Sequence, residues 1–190
     1  MRTASGSFTA DAPFSPPAGS RPPTVIAATP PSLIPTPIGI GAAYRPPPLS
    51  RTVRDGRPVG TLACRATGTR YGVHLELFAH RRAAVVPAGI GISPRRGCSY
   101  ASRTRTPTGV FEIRAGARLT LGDLFRIWGQ PLGPGRLASF RSTRPLLAFV
   151  GGHRWRGDPA AIPLKRHAQI VLELDGYIPP HPDFAFPGEP

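Results

Sequence analysis

Residues 73–78 alternate as a strand with one buried face does. One face carries the apolar residues Val73, Leu75 and Leu77, and the other face carries His74, Glu76 and Phe78. A polar turn at His80 and Arg81 follows, and then a second short apolar run. The pattern predicts a β-hairpin whose apolar side faces a core.

The same alternation returns in "AQIVLEL", residues 168–174, near the end of the chain. Its inward set is Ala168, Ile170, Leu172 and Leu174. Between these two segments, "TGVFEIR" at 108–114 predicts another strand. Gly151 and Gly152 separate two further β-like runs, at a position where a two-residue hairpin turn requires positive φ.

One segment has helical periodicity, "TLGDLFRIWG" at 120–129. Its apolar residues, at i, i+3, i+4 and i+7, are Leu121, Leu124, Phe125 and Trp128. Thr120 with Asp123 has the form of a capping box, and Gly129 and Pro131 end the helix. A helix this short is not stable alone in water, so its apolar face must be buried on a sheet.

The order of these elements predicts a small β-rich α+β domain. We expect a mostly antiparallel sheet with one short helix, laid out like a β-grasp, with a cupredoxin-like or immunoglobulin-like β-sandwich as the alternative. The domain is placed at residues 56–187. Residues 1–55 differ in composition, with 12 prolines and one acidic residue in the first 50, which predicts a disordered or polyproline-II-like arm.

The chain is strongly basic, with 24 basic and 10 acidic residues and a net charge of +14. From residue 51 onward, 21 basic and 9 acidic residues leave +12, so the charge belongs to the predicted domain. All the basic residues but Lys165 are arginine, a bias that a GC-rich coding sequence also produces. Whatever its origin, this charge attracts polyanions at low salt.

Several functional classes find no support in the sequence. It contains no G-x-S-x-G, H-E-x-x-H or Walker motif, so we expect a protein that is not an enzyme and has no cofactor. Nucleic-acid readout is not expected either, because four aromatic residues occupy core-like positions instead of an interleaved stacking platform. They are Phe125, Trp128, Phe149 and Trp155.

Proline interrupts the one apolar stretch near the N-terminus, so neither a secretory signal nor a membrane span is predicted.

The two cysteines, Cys64 and Cys98, lack zinc-site spacing. They fit either two buried thiols or a disulfide, which would close a loop of about 35 residues and stabilise the fold by roughly 4 kcal/mol.

Five segments together resemble an uncharacterised group of bacterial extracytoplasmic proteins. They are "VHLELF", "VPAGIGI", "CSYASRTRTPTGVFEI", "LTLGDLFRIWGQPL" and "RGDPAAIPLKRHAQIVLEL", and the resemblance covers about residues 59–187. The resemblance implies a secreted or surface-anchored domain whose histidines line one site that suits a metal. It also implies a disulfide between Cys64 and Cys98, where the group has cysteine. The absent signal segment leaves a cytoplasmic location open.

This chain departs from the group at the histidines themselves. Arg70 and Gly72 stand where the group has histidine, as do Arg103 and Arg105, and Glu112 stands at a further one. His74 alone is retained among them. Guanidinium has no free lone pair and repels cations, so metal ligation is not expected.

Three readings of this altered site stay open. In the first, Arg70, Arg103 and Arg105 beside His74 bind a carboxylate, phosphate or sulfate, on a small molecule or a polymer, with Glu112 orienting one arginine. In the second, a weakened metal site persists at His74 and Glu112, helped by His153 or His167. In the third, the replacements are drift that leaves a solvated basic face.

Overall fold

The computed structural model describes residues 56–65, 67–176 and 184–186. The predicted arm at 1–55 and the predicted domain end at 187 lie outside the described residues. The strands are β1 (Arg70–Ala79), β2 (Arg82–Ala84), β3 (Ile92–Ser93), β4 (Cys98–Ser99), β5 (Ser102–Arg103), β6 (Val110–Arg114), β7 (Leu132–Gly133), β8 (Arg136–Leu137), β9 (Phe140–Arg141), β10 (Leu147–Val150), β11 (His153–Trp155) and β12 (Gln169–Leu174). The one α-helix of the described residues, α1, is Leu121–Trp128, and 3-10 turns lie at Pro94–Arg96 and Pro159–Ala161.

Seven strands form one open sheet in the order β11-β10-β12-β1-β6-β5, with β2 also paired to β1. Among the strands of this sheet, β1 comes first in the chain and β12 comes last, and the two are parallel neighbours at its centre. They are in register from His74 opposite Gln169 to Ala79 opposite Leu174. The other pairs are antiparallel. A parallel central pair flanked by hairpins is the arrangement of a β-grasp, so the predicted fold class is confirmed. The described residues do not form the alternative β-sandwich.

One face of this sheet is covered by α1 and is almost dry. Val73, Leu75 and Leu77 of β1 are at most 2% exposed, and the alternate residues of β6 and β12 join them in a single core. The apolar face of α1 packs into the same core, as its periodicity predicts. We call this side the covered face and the opposite side the open face.

The ends of α1 follow the prediction in detail. The Thr120 hydroxyl accepts a hydrogen bond from the Asp123 amide, and the Asp123 carboxylate accepts one from the Thr120 amide. Gly129 ends the helix in the left-handed region at φ 76°. Both predicted tight turns are present, at His80 and Arg81 with φ of 51° and 62°, and at Gly151 and Gly152.

The aromatic prediction is correct in three positions and wrong in one. Phe125 and Trp128 lie in the core, and Trp155 packs against it. Phe149 is different because it stands opposite Val171 across β10 and β12, and both side chains are on the open face. Within the described residues, no helix is long and apolar enough to cross a membrane.

Cys64 and Cys98 form a disulfide with a Cα–Cα distance of 5.6 Å. The bond joins the segment before β1 to β4, and Arg65 pairs with Ser99 immediately beside it. The disulfide implied by the resemblance is therefore present. It holds Ser99 and Tyr100 against the edge of the sheet where the arginines lie.

Candidate anion-binding site

Glu112 on β6 is held by two arginines on the open face. Its Oε2 accepts hydrogen bonds from Nε of Arg103 at 2.7 Å, and Nη2 of Arg103 also lies 2.7 Å from this atom. Its Oε1 lies 3.0 Å from Nε of Arg105. The anion-binding hypothesis has Glu112 orienting one arginine, whereas two arginines contact this carboxylate.

The spacing of Arg103 and Arg105 explains why both reach Glu112. Alternate residues of an extended chain point to the same side, and Thr104 between them points the other way and is fully buried. The Thr104 hydroxyl donates to the carbonyl of Pro87 and accepts from the amide of Ile90. These bonds fix the backbone at Thr104 and so fix the direction of both arginines.

Arg70 is close to these two arginines, but its guanidinium group is bonded to backbone carbonyls and a serine hydroxyl. Its guanidinium donates four hydrogen bonds between 2.9 and 3.2 Å, which clamp the segment after the disulfide onto β1 and β6. The acceptors are the carbonyls of Ala101, Glu112 and Tyr100 and the hydroxyl of Ser99. Arg70 is therefore mainly a structural residue.

Arg114 is a fourth arginine of the site, and the sequence analysis did not single it out. It lies opposite Arg70 across β1 and β6, and its Nη2 donates to the carbonyls of Arg65 and Ser99 at 3.1 and 3.3 Å. The signal was available, because Arg114 is two residues beyond Glu112 on a predicted strand and shares its face. We call Arg70, Arg103, Arg105, Arg114 and Glu112 the arginine cluster.

The arginine cluster carries more positive charge than it neutralises. Four guanidinium groups surround one carboxylate, which leaves a net charge of +3. The effect is visible at Arg70, where burial and then the charges of Arg103 and Arg114 lower the pKa to about 10. The group still stays protonated at neutral pH, so the cluster has a positive potential there.

Exposure differs between the two arginines that hold Glu112. The Arg105 side chain is 63% exposed, whereas that of Arg103 is 17% exposed. The contact of Arg105 with Glu112 is made through Nε, at the inner side of its guanidinium group. The Arg105 guanidinium therefore presents donors to solvent at the rim of the cluster.

His74 is beside the arginine cluster but is covered. It is only 3% exposed, and its Nε2 lies 3.2 Å from the carbonyl of Thr108. Its ring is stacked on that of Phe184, with centroids 4.4 Å apart, and its Nδ1 lies 3.6 Å from Glu76. The structure thus places His74 diagonally from Glu112 on the adjacent strand, under an aromatic cover that the sequence analysis did not predict.

The residues of the alternative metal site lie apart from one another or are already bonded to other groups. Both carboxylate oxygens of Glu112 are bound by arginines, so a cation at His74 and Glu112 would have to displace them. His153 lies on β11, three strands away from β1, whereas His167 donates its amide to Gly72 and stacks on Phe186. The described residues contain no group of three potential metal ligands.

Comparisons with known proteins give no match: no protein-family model, no curated protein and no solved structure is similar to this chain. The fold and the site therefore define only a class, a β-grasp-like α+β domain with a basic cluster on the open face of its sheet.

Proposed function

We propose that this protein is a non-enzymatic binding module that holds an anionic ligand at the arginine cluster. The observation that carries the proposal is the surplus of positive charge, four arginines around the single carboxylate of Glu112. The ligand class is a carboxylate, phosphate or sulfate group, because guanidinium donors bind planar or tetrahedral oxyanions through paired hydrogen bonds.

The roles within the arginine cluster follow from exposure and bonding. Arg105 makes the first contact because it is the most exposed of the pair, and Arg103 provides the second guanidinium behind it. Arg70 and Arg114 contribute potential, since both Nη groups of Arg70 and the Nη2 group of Arg114 already donate to the chain. Glu112 acts as an internal counter-ion that neutralises part of this charge and competes with the ligand for Arg103 and Arg105.

The disulfide supports an extracytoplasmic location for this module. Disulfides persist in oxidising compartments and are rare in the reducing cytosol. Cys64 and Cys98 are the only cysteines of the chain, and both are used in the bond. The location remains part of the proposal.

The test compares two pairs of arginine substitutions with equal loss of charge. Arg103→Gln with Arg105→Gln removes the proposed contacts, and Arg154→Gln with Arg156→Gln removes two exposed arginines at and just after the far edge strand β11. Binding of a fluorescent single-stranded oligonucleotide, used only as a polyanion, is measured by anisotropy against salt concentration. The first pair should flatten the slope of log affinity against log salt by about 1.4, since each phosphate contact contributes about 0.7.

The control pair should change the slope by much less. Equal slopes for the two double variants would show that net charge alone governs binding, and the assignment of the site would then be wrong. Arg70→Gln is unsuitable for this purpose because it removes four hydrogen bonds of the fold.

A further inference from the structure

The segment Phe184–Phe186 lies on the open face, across the two central strands. The ring of Phe184 stacks on His74, and the ring of Phe186 stacks on His167 with centroids 4.5 Å apart and planes 17° from parallel. The two phenylalanine rings meet edge to face at 5.1 Å. Each aromatic residue of the segment thus stacks on its own imidazole, His74 on β1 and His167 in the turn before β12.

Gln169 contacts the backbone of this segment. Its Nε2 donates to the carbonyl oxygen of Phe184 at 2.7 Å, and its Oε1 accepts from the amide of Phe184 at 3.4 Å. A side-chain amide that bonds both main-chain groups of one residue recognises an extended peptide whatever its side chain. Specificity then comes from the positions where the rings lie.

Gly72 gives the second ring its space. A Cβ at this position would lie 2.5 and 2.6 Å from two atoms of the Phe186 ring. The φ of Gly72 is outside the left-handed region, so the backbone does not require glycine here. Glycine inside a strand costs roughly 0.5–1 kcal/mol relative to alanine, and the close approach of Phe186 is a physical reason for its presence.

We propose that Gly72, His74, His167 and Gln169 form a peptide-binding groove for an extended segment with aromatic residues at alternate positions. Phe184–Phe186 occupies this groove within its own chain, and the partner is a polypeptide segment of the same chemistry. The seated segment is the argument for that occupant, because it shows which features the groove recognises. The groove adjoins the arginine cluster, since Gly72 is opposite Glu112 across β1 and β6, but it is formed by different residues and does not depend on the anion-binding proposal.

The chain's own segment competes with any partner. A tethered segment acts at an effective concentration of the order of millimolar, so a free peptide binds weakly while Phe184 and Phe186 are in place. Removing both rings from the full chain empties the two aromatic positions, and the main-chain bonds to Gln169 remain as a weaker competitor. The Phe184→Ala, Phe186→Ala double variant is therefore the receptor for the test.

The probe is a fluorescent peptide of sequence PDFAFPG, taken from residues 182–188, and the control peptide is PDAAAPG. Anisotropy titrations should show PDFAFPG binding the double variant at least tenfold more tightly than the unchanged chain, by the effective-concentration argument. The control peptide should not bind. Adding Gly72→Ala to the double variant should abolish binding of PDFAFPG, because the new Cβ occupies the space of the second ring.

Circular dichroism confirms that each variant is folded, and Phe186→Ala alone replaces the double variant if that protein does not fold. Failure of the folded receptor to bind PDFAFPG, equal binding of the two peptides, or no effect of Gly72→Ala would each overturn the proposal. Loss of polyanion binding in the Arg103 and Arg105 variants is a separate result, since neither residue is one of the four that form the groove.

Discussion

The two faces of the central sheet are built from the same strands and are held in different ways. On the covered face, residues such as Leu75 and Leu172 are at most 1% exposed, and burial stabilises the fold by about 25 cal/mol for each square ångström of apolar surface. On the open face, charged hydrogen bonds and stacked rings fix the directions of the side chains instead. Partly exposed ion pairs such as Arg105 with Glu112 contribute at most about 1 kcal/mol each.

This difference assigns stability to one face and chemistry to the other. A substitution on the covered face should lower the free energy of unfolding and leave ligand affinity of the folded protein unchanged. A substitution on the open face should change ligand affinity and should lower the free energy of unfolding by a smaller amount. The segment after the disulfide is the exception, because Tyr100 enters the core while Ser99 accepts hydrogen bonds from Arg70 and Arg103.

The largest effect is expected from removing that link between the faces. Replacing Cys64 and Cys98 by alanine should lower the free energy of unfolding by roughly 4 kcal/mol, because the bond no longer restricts a loop of 34 residues in the unfolded chain. Chemical denaturation with and without a reducing agent measures the change. The unchanged protein should lose stability on reduction, whereas the double variant should not respond.

A reductant-sensitive double variant would contradict this account, since no other cysteine is present. If the double variant is less stable but binds the polyanion as tightly as the unchanged protein, stability and ligand binding are independent even at Ser99.

The second effect compares adjacent residues of one strand. Leu172→Ala, at 0% exposure on the covered face, should cost about 3 kcal/mol, within the range for buried leucine. Val171→Ala, on the half-buried open face, should cost less than about 1.5 kcal/mol because fewer contacts are lost. Urea denaturation of both variants gives the ratio. Similar losses would mean that the open face is packed as tightly as the covered one.

The covered face could be predicted almost completely from the sequence. Alternation along β1 and β12 identifies Leu75 and Leu172 as inward residues without any knowledge of their partners, because the side-chain period of a strand is local. Thr120 and Gly129 likewise mark the ends of α1 locally. The two-residue strands β3 to β5 and β7 to β9 could not be predicted, since so short a segment has no period to read.

The open face could be predicted only in part. The shared direction of Arg103 and Arg105 follows from their spacing, but the role of Arg70 depends on main-chain carbonyls that only the fold brings near it. The cover of Phe184 over His74 joins residues 110 positions apart, and no local rule gives such a contact. Glycine at position 72 inside a strand was the one available sign of a close approach.

A smaller effect concerns the helix that closes the covered face. Burial alone would raise the pKa of Asp123, but hydrogen bonds from Thr120 and Arg126 more than offset it and hold the pKa below its usual value. A carboxyl group with a lowered pKa in the folded state stabilises the protein above its unfolded pKa, and this contribution is lost as the pH falls through the folded value. Asp123→Asn should therefore cost about 1 kcal/mol at pH 7.

The difference between Asp123→Asn and the unchanged chain should shrink below about pH 4, where the aspartate begins to be protonated. Thermal unfolding at several pH values measures it. Thr120→Ala is the comparison, because it removes one capping hydroxyl and keeps the titrating carboxylate with its bonds from the Thr120 amide and Arg126, so its difference should depend less on pH. A pH-independent difference for Asp123→Asn would contradict the assigned role of its charge.

The smallest change in stability is expected at Glu112, where it is the most informative. Glu112 is 29% exposed, so Glu112→Gln should cost less than about 1 kcal/mol. The arginine cluster then gains one unit of net positive charge, and Arg103 and Arg105 lose the carboxylate that competes with an external anion. Affinity for the oligonucleotide should rise about fivefold, the equivalent of roughly 1 kcal/mol.

Asp175→Asn provides a matched control for this last prediction. Asp175 is 35% exposed and also pairs with two groups, His80 and Arg144, but it lies in the turn after β12 and outside the arginine cluster. An equal rise in affinity for both variants would show that only the total charge matters. A fall in affinity for Glu112→Gln would show that Glu112 holds the arginines in place for the ligand, and its role would then be positioning and not competition.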